Sequence, residues 1–476
     1  MKKITTIALS ALLATVAFNG YAHEAPAADE TPSADVEQTE ELKVPLVPPT
    51  LKGTLADDVK VNLNLELLNL FTYRNDADFD RSSPYYNEYD QSEGFLATFL
   101  MPRVTITKSD YFKFYYETEI GTDLWSYNTP DAGLGKSNRS LSMKQREIWG
   151  HTRLGDFFVK AGFQRVTDSS RLFIDHWVGA ARFGYGCEKK SHVKLSIGQL
   201  PDQTFEGWDF GATHLGSFGD DVMLAAVDGR LQLNDNMNLD AGFFFIRDGS
   251  VINRVRNVGT LAATFSANYP KWMASASLLA QFGNRENFAA NGDDTGHTAY
   301  AASAAAAVNF GRFQLKANLV ALSPDDEHEG NDASGFLWSG KRNGQSSLLN
   351  ENTIRDIGDN IDEKLGIFDG LFYEMTPGMA AGDIGLYMQT LKWMKVGVVS
   401  AGLMTLNSKN SMDSSFVGWE NELVVDVTAL DGLFQTVLTG GVLLPGEAGA
   451  AFVNILPNRT TTDPLYFMYL AVFMRL

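Results

Sequence analysis

Apolar and polar residues alternate one by one along much of the chain from residue 60 onward. In residues 60–74 one face carries the apolar side chains, which are Val61, Leu63, Leu65, Leu67, Phe71 and Tyr73. The same alternation returns in residues 112–120, 193–197 and 313–319. A period of two indicates an extended strand whose two faces meet different surroundings. The pattern therefore predicts an all-β chain.

Eighteen such segments follow one another, and the connections between them are alternately short and long. The predicted strands lie near 60–74, 94–107, 111–121, 141–153, 157–165, 179–186, 191–199, 220–233, 237–247, 256–267, 272–283, 298–308, 312–322, 382–391, 396–406, 415–428, 433–443 and 465–476. Tight turns such as Leu154-Gly155-Asp156 alternate with longer polar loops. Transmembrane barrels have short periplasmic turns, long extracellular loops and an even number of strands. We predict a single antiparallel β-barrel of about 18 strands, with 16 as the alternative.

The last predicted strand adds an independent indication. An apolar residue stands at every second position of 465–476 and the row ends at Leu476. Outer-membrane barrels usually finish with a strand of this kind, although commonly on an aromatic residue. The barrel is therefore predicted to span 51–476.

The N-terminal 50 residues have a different composition. Lys2 and Lys3 precede an apolar stretch at 4–18, and small residues follow, so residues 1–22 are predicted to be a signal peptide cleaved after Ala22. Residues 23–50 hold seven acids and five prolines with few large apolar side chains. Such a segment is expected to be disordered in the periplasm, with a docking arm for a partner as the alternative.

Composition narrows the class of protein further. The chain has 31 Phe, 16 Tyr, 8 Trp and 43 Gly, and its single cysteine, Cys187, excludes an intramolecular disulfide. Removing Lys2 and Lys3 changes the formal net charge from −19 to −21, which argues against nucleic acid as a partner. No apolar run after residue 22 reaches the roughly 18 residues of a spanning helix. A secreted chain without such runs is either soluble or a closed barrel.

The polar face of the strands is predicted to line a water-filled lumen, because an 18-strand barrel encloses water unless loops close it. The basic residues assigned to this face are Lys144, Arg146, Lys160, Arg182, Lys194, Arg230 and Lys316. Its acids are Glu66, Glu117, Glu119, Asp228 and Asp240, while Arg165, Arg171, Arg254 and Arg256 are placed near the outer mouth. One interpretation is that these charges pair and stiffen the wall. The other is that residues 141–199, whose inward charges are almost all basic, attract anions.

Three neighbouring segments carry a resemblance to a known family. They are residues 145–149, residues 159–165, and residues 168–182 with Asp175-His176-Trp177 in a loop. Together they resemble the alginate-export family of outer-membrane porins. The resemblance implies an 18-strand pore without a cofactor that conducts anionic polysaccharide or smaller acidic and aromatic solutes. Phe163 stands where that family usually carries an arginine, which removes one expected pore cation and favours a related anionic solute over alginate itself.

The same resemblance implies that Arg146, Gln164, Arg165 and Arg182 contact the solute. Together with the inward-facing cations, they make up the predicted set of pore-lining residues. The full set is Arg146, Lys160, Gln164, Arg165, Arg182, Lys194 and Arg230. No catalytic residue and no metal ligand is predicted.

Residues 323–381 form the longest predicted connection. They contain twelve acids and four bases, a net charge of −8. A connection of this length is usually functional, often as a plug or a lid. Acids at 325–332 suggest calcium binding as an alternative, but their spacing does not match a known calcium loop. A solvated run of charges is the favoured interpretation of these acids. If the loop folds over a basic lumen, the hypothesis is that it shields the cations and acts as an acidic gate.

The sequence predicts a channel in the cell outer membrane rather than an enzyme. It has seven His and no nucleophile elbow or metal-ligand spacing. The predicted partners are outer-membrane lipid and a small anionic or sugar-acid solute. Two alternatives stay open: a porin for other solutes (small organic acids, phosphate or sugars), and a surface barrel with an adhesive or structural role.

Overall fold

A computed structural model describes most of the chain from residue 51 onward. The described residues are 51–56, 58–74, 93–109, 111–122, 142–188, 190–200, 222–249, 255–286, 294–325, 332–333, 335–338, 345, 373–375, 378–407, 414–453 and 462–475. The predicted signal peptide (1–22) and acidic segment (23–50) lie outside them. So does most of the long connection 323–381.

The described residues form 22 strands, one short helix and a single 3-10 turn at Leu430–Gly432. The strands are β1 Leu51–Ala56, β2 Val59–Arg74, β3 Glu93–Lys108, β4 Phe112–Thr122, β5 Ser142–Leu154, β6 Phe157–Thr167, β7 Asp175–Gly186, β8 His192–Leu200, β9 Val222–Asn234, β10 Met237–Asp248, β11 Val255–Tyr269, β12 Trp272–Glu286, β13 Thr295–Phe310, β14 Phe313–Leu322, β15 Asp332–Ala333, β16 Phe336–Trp338, β17 Tyr373–Met375, β18 Met379–Leu391, β19 Met394–Met404, β20 Phe416–Ala429, β21 Phe434–Pro445 and β22 Leu465–Arg475. The helix, α1, is Glu447–Val453.

Eighteen of these strands close into one antiparallel barrel. β2–β14 and β18–β22 each pair with their two neighbours, and β22 returns to β2 with Glu66 opposite Arg475 and Arg74 opposite Phe467. The prediction of an 18-strand barrel is confirmed. The strand β1 was not predicted. It pairs with residues 59–63 of β2, whereas β22 pairs with residues 66–74 of the same strand.

The two faces of the wall differ as the alternation predicts. In β8, Val193 and Ile197 are about half exposed, at 51% and 50%, whereas Ser196 between them is 1% exposed. In β22, Tyr466 and Met468 belong to the exposed outer face. The outer face therefore presents large apolar side chains all along the barrel, as a surface in contact with lipid requires. No helix in the described part of the chain is long and apolar enough to cross a membrane.

The connections divide the barrel into two ends. At one end, here called the turn end, strands are joined by short turns such as 155–156 and 235–236. At the other, the loop end, the connections are longer, as at 201–221 and 323–378. Gly155 has φ +62°, a left-handed conformation that glycine adopts without strain and that a two-residue hairpin turn requires.

Segments of the loop-end connections fold into the barrel and pack on its inner wall. Residues 172–174, the strand β16 and Ala448 of α1 belong to one cluster of buried apolar side chains, with exposures of 1% or less. The same cluster contains inward-facing wall residues near the loop end, such as Leu224, Ile246 and Leu322. Gln281 on β12 fixes β16, because its amide donates to Leu337 O at 2.8 Å and accepts from Leu337 N at 2.9 Å. The inner wall thus carries an apolar cluster towards the loop end, beside a buried polar chain of Gln281, His297 and Arg285.

Candidate pore-lining site

Towards the turn end, basic residues of the inner wall lie side by side on neighbouring strands. We call Lys113, Lys160, Arg182, Lys194 and Arg230 the basic flank; they lie on β4, β6, β7, β8 and β9. His151 on β5 lies opposite both Lys113 and Lys160 and fills the gap between β4 and β6. Side chains two residues apart on a strand point to the same face of the sheet. The alternation in each strand therefore places these cations on the inner face, where neighbouring strands bring them side by side.

An aromatic platform lies under the first two cations of the basic flank. The ammonium of Lys160 is 3.9 Å from the centroid of the Trp149 ring, and that of Lys113 is 5.6 Å from it. Tyr115 stacks on Trp149 with ring centroids 5.1 Å apart, and Trp149 Nε1 donates to Glu147 at 2.5 Å. A cation over a tryptophan face is attracted by the ring quadrupole, so the platform positions Lys160 without neutralising it.

Lys160 and Arg182 form the least compensated part of the basic flank. They are directly opposite each other on β6 and β7. Neither has a carboxylate within ion-pair distance among the described residues, and Arg182 Nε is buried there without a hydrogen-bond partner. Asp228 acts on Arg182, and Glu147 and Glu188 act on both cations, all from beyond ion-pair distance. Like charges directly opposite each other on neighbouring strands destabilise a sheet. The presence of Lys160 opposite Arg182 is therefore not explained by barrel stability.

The last two cations of the basic flank, Lys194 and Arg230, are paired with acids on the adjacent strand. Lys194 Nζ lies 2.9 Å from Asp228 Oδ2. Arg230 donates from Nε to Asp240 Oδ1 at 2.8 Å and from Nη2 to Oδ2 at 3.3 Å. These pairs match the interpretation in which lumen charges stiffen the wall, whereas Lys160 and Arg182 match the one in which they attract anions.

The remaining predicted contact residues are held by other parts of the protein. Arg146 donates to Glu119 on β4 and lies 4.6 Å from the centroid of the Trp177 ring. Gln164 is fully buried and donates from Nε2 to Ala180 O at 2.9 Å. Arg165 makes a two-bond ion pair with Asp175, at 2.5 and 2.7 Å. The structure therefore does not bring these three residues together with Lys160 and Arg182.

A register shift explains part of this difference on β5. The pairing of β4 with β5 slips by one residue between Glu117 and Thr118, so that Glu147 lies opposite Glu117 while Lys144 lies opposite Glu119. Such a bulge reverses the alternation along the strand. Trp149 therefore shares the inner face with Glu147, although the sequence pattern around Arg146 favoured the even-numbered residues. The side chain of Lys144 is outside the described residues.

The other cations assigned by sequence take separate positions. Lys316 lies on β14 with its ammonium 5.1 Å from the Tyr387 ring centroid. Arg256 is 2% exposed and forms an ion pair of 3.9 Å with Asp248. Arg171 has a left-handed backbone, φ +61°, in the in-folded loop after β6, and Arg254 lies outside the described residues. In the described part of the chain, no group of three or more His, Cys, Asp or Glu is arranged to hold a metal ion.

An acidic counterpart to the basic flank was missed from the sequence. Asp383, Glu420, Glu422 and Asp426 lie on β18 and β20, with Asp383 hydrogen-bonded to Asn318 at 2.7 Å and Asp426 to Gln435 at 3.1 Å. The signal was present: Glu420 and Glu422 alternate with Trp419, Asn421 and Leu423 in the usual period of two. The inner wall therefore has a basic side on β4–β9 and a mainly acidic side on β18–β20, where Lys395 on β19 lies 3.8 Å from Asp426.

The in-folded loop 168–174 is organised by one buried carboxylate. Asp168 accepts hydrogen bonds from the backbone N–H groups of Ser170, Phe173 and Ile174 at 2.8, 3.1 and 2.9 Å, and from the Ser170 hydroxyl. Burial raises the pKa of Asp168 from its usual range, against the opposing effect of these donors. The carboxylate thus fixes the turn that delivers residues 172–174 to the inner wall.

Comparison with solved structures identifies the architecture. The chain is similar in structure to OccK9 (OpdG) of Pseudomonas aeruginosa, with a TM-score of 0.53 at 12% identity over 87% of this chain and 98% of that one. It is also similar to OccK5 (OpdH) of the same organism, with a TM-score of 0.53 at 10% identity over 89% and 99% of the chains. The fold is that of outer-membrane porins.

A third porin of this group was solved with a ligand. The structure of Pseudomonas aeruginosa OccK2 (OpdF) in complex with glucuronate matches with a TM-score of 0.51 at 12% identity, over 87% of this chain and 98% of that one. No protein-family model and no curated protein matches the chain. The comparisons thus show the porin fold, and they give no support to the alginate-export family in particular.

Proposed function

We propose that this protein is an outer-membrane channel that passes small organic anions, sugar acids among them, by passive diffusion along its basic flank. The closed barrel and its apolar outer face support a membrane-spanning pore. The similarity to porins, one of them solved with glucuronate, supports the class of solute. In this proposal Lys160, Arg182, Lys194 and Arg230 line the path of the anion.

The observation that carries the proposal is the juxtaposition of Lys160 and Arg182. Two neighbouring cations that have no ion-pair partner in the described part of the chain raise the local concentration of anions in a narrow aqueous space. A monovalent anion about 5 Å from one charge in water gains about 0.8 kcal/mol, which screening at physiological ionic strength reduces to about 0.4 kcal/mol. The two cations together then give about 0.9 kcal/mol, or a four- to fivefold enrichment of the anion.

The experiment is a measurement of reversal potential across purified pores in a planar bilayer under a salt gradient. Wild-type protein should prefer anions, and the double variant Lys160→Gln/Arg182→Gln should lose most of that preference. Lys392→Gln, which removes an exposed cation from the turn between β18 and β19, is the matched control and should leave the reversal potential unchanged. Wild-type pores without anion preference would contradict the proposal.

The acidic side of the inner wall favours a second candidate, a pore for solutes that carry both charges. Asp383, Glu420 and Glu422 are buried on β18 and β20, away from the basic flank. A wild-type reversal potential near zero, with block by zwitterions but not by simple anions, would favour this candidate. A folded barrel that conducts no ions would favour the adhesive alternative instead.

A further inference from the structure

A wall of small hydroxyl-bearing side chains adjoins the basic flank on the inner face. The register of the strands places Arg230 opposite Asp240, Asp240 opposite Thr264, and Thr264 opposite Ser277. Ser303 on β13 then lies opposite Ser277. We call the following residues the hydroxyl wall: Thr264, Ser266, Ser275, Ser277 and Ser303. It continues the row that begins with the last cation of the basic flank.

The hydroxyl wall forms one side of a partly enclosed cavity. The cavity has a volume of about 130 Å³, and Arg230 and Asp240 also line it. Ser169 and Ser170 of the in-folded loop complete its polar lining, and Leu172 and Val320 contribute apolar surface. Since a water molecule takes about 30 Å³ of liquid, the cavity has room for a few waters or for the polar edge of a small solute.

Asn318 on β14 supplies an unused acceptor to this cavity. Its side chain lines the cavity and is 5% exposed. Its Nδ2 donates to Asp383 at 2.7 Å, which fixes the orientation of the amide. Its Oδ1 is buried and has no hydrogen-bond donor among the described residues. A buried acceptor without a donor is costly, so the geometry suits a bound group that brings an O–H or N–H.

A hydroxylated carboxylic acid needs a cationic donor for its carboxylate and acceptors for its hydroxyl groups, and the cavity is lined by both. Arg230 uses two of its five N–H donors on Asp240 and keeps the others for a carboxylate. Asp240 is an acceptor for hydroxyl groups. Ser169 donates to Thr264 at 2.6 Å, and Thr264 lies 2.9 Å from Ser277, so each hydroxyl retains some capacity to accept.

We infer that this cavity is a specificity subsite that recognises the hydroxyl groups of a sugar acid, while Arg230 contacts its carboxylate. The inference rests on the proposed function and adds a substrate class to it: polyhydroxylated carboxylates in preference to alkyl carboxylates. A wall of alanine and valine would pass simple carboxylates equally well, because the basic flank alone attracts them. Hydroxyls and an unsatisfied amide oxygen at the level of Arg230 instead match a solute that carries its own donors.

The test compares three six-carbon solutes as blockers of ion current through the purified pore. D-glucuronate has a carboxylate and hydroxyls, hexanoate has the carboxylate alone, and glucose has hydroxyls alone. Wild-type pores should be half-blocked by glucuronate at a concentration about fivefold or more below that for hexanoate or glucose. Each hydroxyl lost from the subsite should cost roughly threefold to tenfold in binding.

The decisive variant is Thr264→Val/Ser277→Ala, which removes two hydroxyls with little change in volume. It should raise the half-blocking concentration of glucuronate at least fivefold and leave that of hexanoate within twofold. Ser303→Ala is a milder second variant, in case the double variant does not fold, and should raise the glucuronate value about threefold. Ser400→Ala is the matched control, because Ser400 bonds to Asn421 on the lipid-facing side of β19 and β20.

The outcomes separate this inference from the proposed function. If wild-type pores prefer anions but glucuronate and hexanoate block equally, the subsite is wrong and the anion channel stands. If the double variant weakens both blockers alike, the hydroxyl wall serves to pack the loop 168–174 and the inference is overturned. If wild-type pores show no anion preference, the proposed function fails first.

Discussion

The seam between the first and last strands of the barrel is closed by a buried network that can be tested by removing Arg475. Arg475 Nε donates to Glu66 Oε2 at 2.8 Å across the seam, and its Nη1 donates to Gln435 Oε1 at 3.0 Å. Arg475 and Glu66 are 8% and 7% exposed and stand 409 positions apart in the chain. Arg103 lies 3.8 Å from Glu66 on its other side.

Arg475→Ala should destabilise the barrel by about 3 kcal/mol. Breaking a buried ion pair by removing one partner typically costs about 3–5 kcal/mol, since the other charge is left without compensation. The lower end applies here because Arg103 remains near Glu66. A loss of this size changes the unfolding equilibrium constant by a factor of about 150.

The assay is urea unfolding of the reconstituted protein, followed by tryptophan fluorescence and by heat-modifiable mobility on a detergent gel. Arg247→Ala is the control, because Arg247 is exposed and makes a bond of 3.3 Å with Asn257; its loss should cost less than about 1 kcal/mol. Glu66→Gln in the Arg475→Ala background should recover part of the stability by removing the uncompensated charge. If Arg475→Ala unfolds at the wild-type urea concentration, the seam network does not hold the barrel closed.

Three further changes have expected outcomes. Gly162→Ala should prevent or severely impair folding, because Gly162 has φ +131° and a Cβ there would overlap Ile148 O; the folded fraction on a detergent gel measures this, and a normal fraction would exclude the clash. Asp168→Ala should free the loop 168–174 and increase the noise of single-channel current at unchanged barrel stability, whereas a quiet current would show that the loop is held otherwise. Trp149→Leu should weaken block by organic anions about twofold through loss of the cation–π contact, at about 0.5 kcal/mol, and unchanged block would remove the platform from the site.

The barrel plan could be predicted from sequence because it depends on a local signal. Each strand alternates with a period of two, and each short turn has residues that tolerate unusual backbone angles, so all eighteen barrel strands overlap their predicted segments. The reversal on β5 could not be predicted, because one extra residue on that strand changes which side chains face inward without altering the composition.

The missed features depend on contacts between distant residues. β16 is fixed by Gln281, more than 50 positions before it in the chain, and nothing in its three residues predicts burial inside the barrel. Gln164 was predicted from a family resemblance to contact the solute, yet its Nε2 donates to Ala180 O on the next strand. The acidic side is different: Glu420 and Glu422 stand in a regular alternation, so attention to every strand rather than to the basic segment would have found them.

The apolar cluster near the loop end changes what removal of the long connection would do. Without β16, the apolar side chains packed against it would face the water column, and Gln281 would lose its two hydrogen bonds to Leu337. Hydrophobic constrictions in water-filled pores gate by drying out. A truncated pore is therefore expected to gain width without a matching gain in current.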